Sequence, residues 1–154
     1  MNFASENFGL IWPRHVDGFI TLLTSLRKAF GGDLDSVLIL AVIGSAALPR
    51  LKLPPGLSYE EFVDGGDRDR FRSPLNTNSV AEITGIPRES VRRKLKAMEA
   101  RQWIQRGPDG YWEIGPNGPS DLQPMTDLSL AYLSGIAEAI EIAKGRKPPV
   151  RGAG

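Results

Sequence analysis

Cysteine is absent from this 154-residue chain, and histidine occurs once, at His15. Without cysteine there are no disulfides, no thiolate metal ligands and no thiol nucleophile, and nothing marks an oxidising compartment. One histidine cannot build a histidine metal cluster within a chain, and any Ser-His-Asp triad would have to use it. His15 stands between Arg14 and Asp17 with no nucleophile placed beside it, so it reads as a surface or helix-start residue. No glycine-rich phosphate loop is present either. Asp64, Asp67 and Asp69 form an acidic cluster, but Arg68, Arg70 and Arg72 interleave with it at a spacing unlike a calcium loop, which predicts a solvated loop. Together these absences predict no enzyme, no metal and no cofactor. Long apolar runs are missing too. Val37 to Ile43 is the longest at seven residues, against the roughly 18–20 that a membrane span needs. The start MNFASENFGL lacks a basic region ahead of an apolar core, so no signal peptide and no membrane partner are expected, and the chain is expected in the cytoplasm.

What is present fits a folded protein with one core-bearing domain and appended helices. Hydrophobic residues make up 41% and charged residues 24%, too apolar for general disorder. From Pro13 to Phe30, Phe19, Leu22, Leu23, Leu26 and Phe30 recur at helical spacing, with Arg27 and Lys28 in the last turn and Gly31-Gly32 as the stop. Asp33 can cap a second helix over 34–48, apolar nearly all round and therefore expected at the centre of the fold. Residues 49–76 read as a long irregular loop, with a short helix over 58–64 marked by the Ser58/Glu61 capping pattern. Ser79 to Glu82 matches a capping box that opens a short helix ending at Gly85. Pro87 starts the next helix, to about Arg101, with Val91, Leu95 and Met98 as its buried face. Two aromatic and β-branched runs flank the turn Gly107-Pro108-Asp109-Gly110, which predicts a hairpin over 103–114. In it Trp103 is expected to pack inward, and one of Tyr111 and Trp112 must face out. A last helix over 126–144, capped by Thr126 or Asp127, carries Leu130, Leu133, Ile136, Ala137 and Ile140, and the tail after Gly145 is expected to be disordered.

The stretch SVAEITGIPRESVRRKLKAMEARQWIQRGPDGYWEI resembles the winged helix-turn-helix of MarR-like and GntR-like bacterial transcription regulators. Ala81 stands where the short helix packs on the next, Gly85 at the turn, Ile86, Val91 and Leu95 at the apolar positions, and Met98-Glu99 then Trp103-Ile104 at the exit into the first wing strand. The resemblance covers about 40 residues, a quarter of the chain. It departs at Gln102, where the family usually has glycine, and in the long segment between the first two helices. The fold it implies is mainly α with a small β-hairpin wing: an N-terminal helical segment over 1–32, a winged domain over 33–118, and a C-terminal helix and tail over 119–154. The function it implies is sequence-specific binding of double-stranded DNA by a transcription regulator. Helix 87–101 would lie in the major groove, the wing 103–114 on the adjacent backbone, and the terminal helices would hold a homodimer that sets two reading helices about 34 Å apart.

Charge supports that reading independently of the resemblance. The net charge of +1 is unevenly spread. Residues 86–106 hold seven basic and two acidic side chains, net +5, and the segments before and after are each net −2. Glu89, Arg92, Arg93 and Lys96 share one helical stripe opposite the apolar one. Arginine suits bidentate contact with guanine, lysine suits phosphate, and glutamate can accept from cytosine or orient an arginine. Arg88 and Ser90 at the helix start, Thr77, Asn78 and Ser79 at the start of the preceding helix, and Arg106 on the wing complete the expected DNA-binding set. A charged stripe is more often only a solvated face; the concentration on one helix argues otherwise. The alternative is a winged-helix module that binds protein, for which a basic helix is not needed. No residue pattern requires a small-molecule effector, and none excludes one.

Overall fold

The computed structural model describes residues 2–48, 55–64 and 75–146, without the side chain of Val63. Most of the 49–76 segment and the tail from 147 lie outside the described residues. The fold is mainly helical with one small antiparallel sheet. Along the chain run α1 (Phe3–Glu6), α2 (Phe8–Ala29), α3 (Leu34–Ala46), α4 (Tyr59–Asp64), α5 (Thr77–Thr84), α6 (Arg88–Ala100), β1 (Ile104–Arg106), β2 (Trp112–Ile114), α7 (Gly118–Asp121) and α8 (Gln123–Gly145). They divide into two compact units: residues 32–122, and the two chain ends, 1–31 with 123–154.

The 32–122 unit holds the larger core: Ile39 and Ile43 of α3, Leu75, Val80 of α5, Ile86, Val91, Leu95 and Met98 of α6, Ile104 of β1 and Trp112 of β2. The buried positions of α6 are the i, i+4, i+7 set expected from the sequence. Helix α3 starts at Asp33, whose carboxylate accepts from the Ser36 N–H as predicted. Its central placement needs correction. Ile39 and Ile43 are buried, but Leu34 and Leu38 are exposed, because α5, α6 and the hairpin cover only one side. The cap of α5 also differs. Its N-cap is Asn76, whose side chain accepts from Ser79 N–H, and Ser79 is the third residue of the box. A side-chain oxygen three residues upstream competes better for that orphan N–H than a box begun at Ser79.

Helix α6 ends in a Schellman motif: Trp103 N–H bonds Met98 C=O at 3.1 Å and Gln102 N–H bonds Glu99 C=O at 2.9 Å. That geometry needs a left-handed residue, and Gln102 supplies it at φ 60°, the one non-glycine with positive φ among the described residues. The departure from glycine therefore keeps the turn and carries its strain. The strands pair Ile104 with Ile114, Gln105 with Glu113 and Arg106 with Trp112, and Trp112 N–H reaches Leu75 C=O at 2.8 Å, tying the hairpin to the entry of α5. Trp112 is buried and Tyr111 faces out. Trp103 is half-buried, its Nε1 donating to Asp121 of α7, a short helix with no strong periodic signal in the sequence.

In the second unit α2 and α8 pair antiparallel: Arg14 meets Glu138, and Gly18 meets Tyr132. A Cβ at Gly18 would lie 2.8 Å from the Tyr132 ring, so glycine permits the close approach. Two sequence expectations change here. Helix α2 begins at Phe8, passing through Pro13; the lost N–H falls in the second turn, and the Trp12 and His15 rings, 5.2 Å apart, flank it. Helix α8 begins at Gln123, before Thr126 and Asp127. Its buried residues are Ala139 and Ala143, while Leu130 and Leu133 are exposed. His15 is half-buried, with Nδ1 2.5 Å from the Tyr132 hydroxyl and its ring stacked on Phe19, so it is a packing residue of the helix pair and not a free surface histidine.

Candidate nucleic-acid interface

Helix α6 buries one side and presents the other. Val91, Leu95 and Met98 fix its orientation, which leaves Arg88, Glu89, Arg92, Arg93 and Lys96 exposed together. Ser90 is half-buried at the helix start. The preceding turn sets this geometry: Gly85 at φ 73° closes α5 with its N–H on Ala81 C=O, and Pro87 with ψ 136° redirects the chain into α6. Proline here is the N-cap residue, one position earlier than the first-turn place expected.

Two of the arginines are held by their Nε. Arg92 donates from Nε to Glu89 Oε2 at 2.9 Å and from Nη2 to Oε1 at 2.6 Å, a bidentate pair three residues apart. Arg88 Nε donates to the Asn78 side-chain oxygen, joining α6 to the first turn of α5. The hydrogen bond and charge of Arg92, with further help from Arg93 and Arg88, hold the Glu89 carboxyl below its ordinary range, and Arg92 is pushed up in turn. Both therefore stay ionised across neutral pH. Arg93 and Lys96 are exposed and make no hydrogen bond or ion pair among the described residues.

Lys94 belongs to the same basic run but turns inward. Its Nζ lies 2.6 Å from Asp33 Oδ2, and Ser36 donates to Asp33 from both its N–H (3.1 Å) and its hydroxyl (2.7 Å). Burial alone would raise the Asp33 carboxyl; the bonds from Lys94 and Ser36 outweigh it and hold it low. Sequence spacing gives no sign of this, because the partner lies 61 residues away.

The remaining expected contacts are distributed around α6. Ser79 has its N–H and hydroxyl engaged by Asn76, while Thr77 is half-buried and Asn78 exposed beside Arg88. Arg106 stands on β1, its guanidinium 4.5 Å from the Trp112 ring centre and Nη1 on Gly110 C=O at 3.3 Å. This packing orients it along the hairpin. Asn76 is the residue the sequence reading missed; the Asn-x-x-Ser spacing was its signal.

Elsewhere the chemistry is sparse. Among the described residues no group of three or more His, Asp or Glu side chains gathers as a metal would require. An open groove of about 420 Å³ runs beside Arg14, Asp17 and Thr21 in the helix pair, and its guanidinium is already paired with Glu138 at 2.8 Å. No single described helix is long and apolar enough to cross a membrane. Comparison with family models, curated proteins and solved structures found no match to this chain.

Proposed function

We propose that this chain is a double-stranded DNA-binding protein of winged helix-turn-helix type, a transcription regulator that reads its site with α6 and acts as a homodimer. The observation that carries the reading is the exposed face of α6, on which Arg88, Arg92, Arg93 and Lys96 stand together on a helix anchored by a fully buried opposite side. An α-helix fits the major groove, about 12 Å wide, and arginine and lysine reach base edges and phosphates from it. The β1–β2 hairpin follows immediately, with Arg106 held along it as a backbone contact. Thr77 and Asn78 open α5 beside Arg88, where a phosphate contact would fix the register.

The terminal helices supply the dimer contact. Phe8 is 55% exposed, Trp12 50% and Leu133 56%, a large apolar area for two helices to leave in water. The charges are complementary across the pair: α2 carries three basic and one acidic side chain, α8 three acidic and one basic. A two-fold arrangement that sets α2 of one copy on α8 of the other matches both patterns. Two α6 helices then meet successive major grooves of a near-palindromic site, about 34 Å apart.

Fluorescence anisotropy with duplex DNA across a salt series tests this. About three phosphates neutralised per protomer give a log–log slope near −5 for a dimer. A folded Arg92→Ala/Arg93→Ala variant is expected to lose most of that affinity. A parent with a flat salt response, or a double variant that binds as well as the parent, would sink the reading.

A further inference from the structure

We propose that Arg88 and Arg92 each read a guanine, that Asn78 and Glu89 are their positioning residues, and that Arg93 and Lys96 meet phosphate. The inference rests on the DNA-binding reading above and deepens it: it names the base that the α6 face recognises.

The assignment follows from which guanidinium edges are occupied. An arginine carries five N–H donors: one on Nε and two on each Nη. In Arg92 the Nε edge is closed by Glu89, which takes Nε and one Nη2 proton. The far edge, Nη1 with the remaining Nη2 proton, stays open. That edge presents two parallel donors, the pattern that matches guanine O6 and N7. Arg88 is held in the same manner, with Nε closed by Asn78 and both Nη groups open. The two arginines stand four residues apart, one turn along the same exposed face of α6, about 6 Å of backbone rise.

Anchoring matters because a reading side chain must be held before the base arrives. Freezing a rotamer-rich side chain at binding costs conformational entropy. Arg88 and Arg92 have part of that ordering done within the free protein. Arg93 and Lys96 have none, and they remain adaptable cations, which suits phosphate. Glu89 has a second effect. It places a negative charge beside the phosphates, which lowers affinity for duplex DNA of any sequence. Its removal therefore separates the two roles: generic binding rises and base discrimination falls.

The experiment is selection of bound duplexes from a random pool with the full chain, then anisotropy on the selected site and on copies with single guanines replaced by adenine. The parent is expected to enrich sites holding two guanines in each half. Loss of a bidentate contact is expected to reduce discrimination at that guanine by about five- to 150-fold. Arg92→Lys keeps the charge and loses the fork, so it should flatten the preference at one guanine. Glu89→Ala should flatten the same guanine while holding or raising affinity for unrelated DNA, an outcome that a merely structural role for Glu89 would not produce. Arg93→Ala removes one phosphate contact from each protomer, so it should weaken all sequences alike and make the dimer's salt slope about two units shallower. An enriched site without guanine, or Arg92→Lys and Glu89→Ala variants that keep the parent's discrimination, overturns this inference and leaves DNA binding standing. A parent that enriches no sequence and shows no steep salt dependence brings down both.

Discussion

Replacing Lys94 by methionine separates two readings of the basic run on α6. If Lys94 is part of the DNA-facing charge, its loss should weaken binding and leave folding alone. Its Nζ 2.6 Å from Asp33 predicts the reverse. An exposed ion pair is worth about 0–1 kcal/mol, and a hydrogen bond to a charged group about 1.5–3. This pair lies between those cases, with side chains 18% and 34% exposed, so solvent screening trims the upper figure. Methionine keeps the aliphatic stem, and Ser36 still satisfies the Asp33 carboxylate. The expected loss is therefore about 1–2 kcal/mol. Asp33→Asn keeps the N-cap of α3, since asparagine caps as well as aspartate, and removes only the charge. A double-mutant cycle of the two should return a coupling of about 1 kcal/mol or more, measured by urea unfolding. Trp103 and Trp112 fluorescence reports this unit, and Trp12 reports the helix pair. The coupling has a defined pH dependence. The folded carboxyl sits below its ordinary 3.8, so its contribution is fully present above that value. It is lost as pH falls from there through the folded value, where the folded carboxylate takes up its proton. A coupling under about 0.5 kcal/mol at neutral pH would refute the reasoning. So would a Lys94→Met protein of full stability whose DNA affinity drops as that of Arg93→Ala does.

Other outcomes follow from particular residues. Gln102→Gly relieves a left-handed backbone at the end of α6 and is expected to stabilise by about 0.5–1 kcal/mol in the same unfolding assay. Gly115→Ala should destabilise by about 1–3 kcal/mol, because its Cβ would fall 2.4 Å from Gln102 O and 3.0 Å from Ile104 N, both backbone atoms. Leu133→Glu puts a charge on the exposed face of the helix pair; sedimentation should show half the parent's mass, and site affinity should fall with it. A parent already monomeric at micromolar concentration would end the dimer proposal.

What the sequence discloses here is mostly what depends on near neighbours. The buried face of α6, the Asp33 cap, the Ser58/Glu61 box that opens α4 and the hairpin around Gly110 are each written within a few residues, and all are present. The start of α2 is hidden because Pro13 reads as a helix start, whereas the helix runs through it and its first turn is closed by Phe8 stacked on Trp12. The seam of the helix pair overlaps only part of the apolar stripe of α8: Ile136 and Ile140 are half-buried, whereas Leu130, Leu133 and Ala137 are exposed. Small residues, Gly18 against Tyr132 and the buried alanines Ala139 and Ala143, set the close approach, and small residues give a weak periodic signal. His15 found its partner 117 residues away, beyond any local pattern.

The same distinction sharpens the charge. By count, residues 86–106 are net +5, but a count assigns every charge to the surface alike. Lys94 is tied to Asp33, Arg92 is matched by Glu89, and Arg101 and Arg106 lie over Trp103 and Trp112. The cations left without an anion on the outer face of α6 are Arg88, Arg93 and Lys96, and of these only Arg88 is anchored. A face built for phosphate alone would gain from leaving every cation unpaired, since each neutralised phosphate adds to affinity. Pairing Arg92 with Glu89 gives up some of that attraction and fixes a planar fork in return. That exchange benefits a protein whose task is to tell one sequence from another, because generic DNA rewards charge, and a base edge rewards orientation.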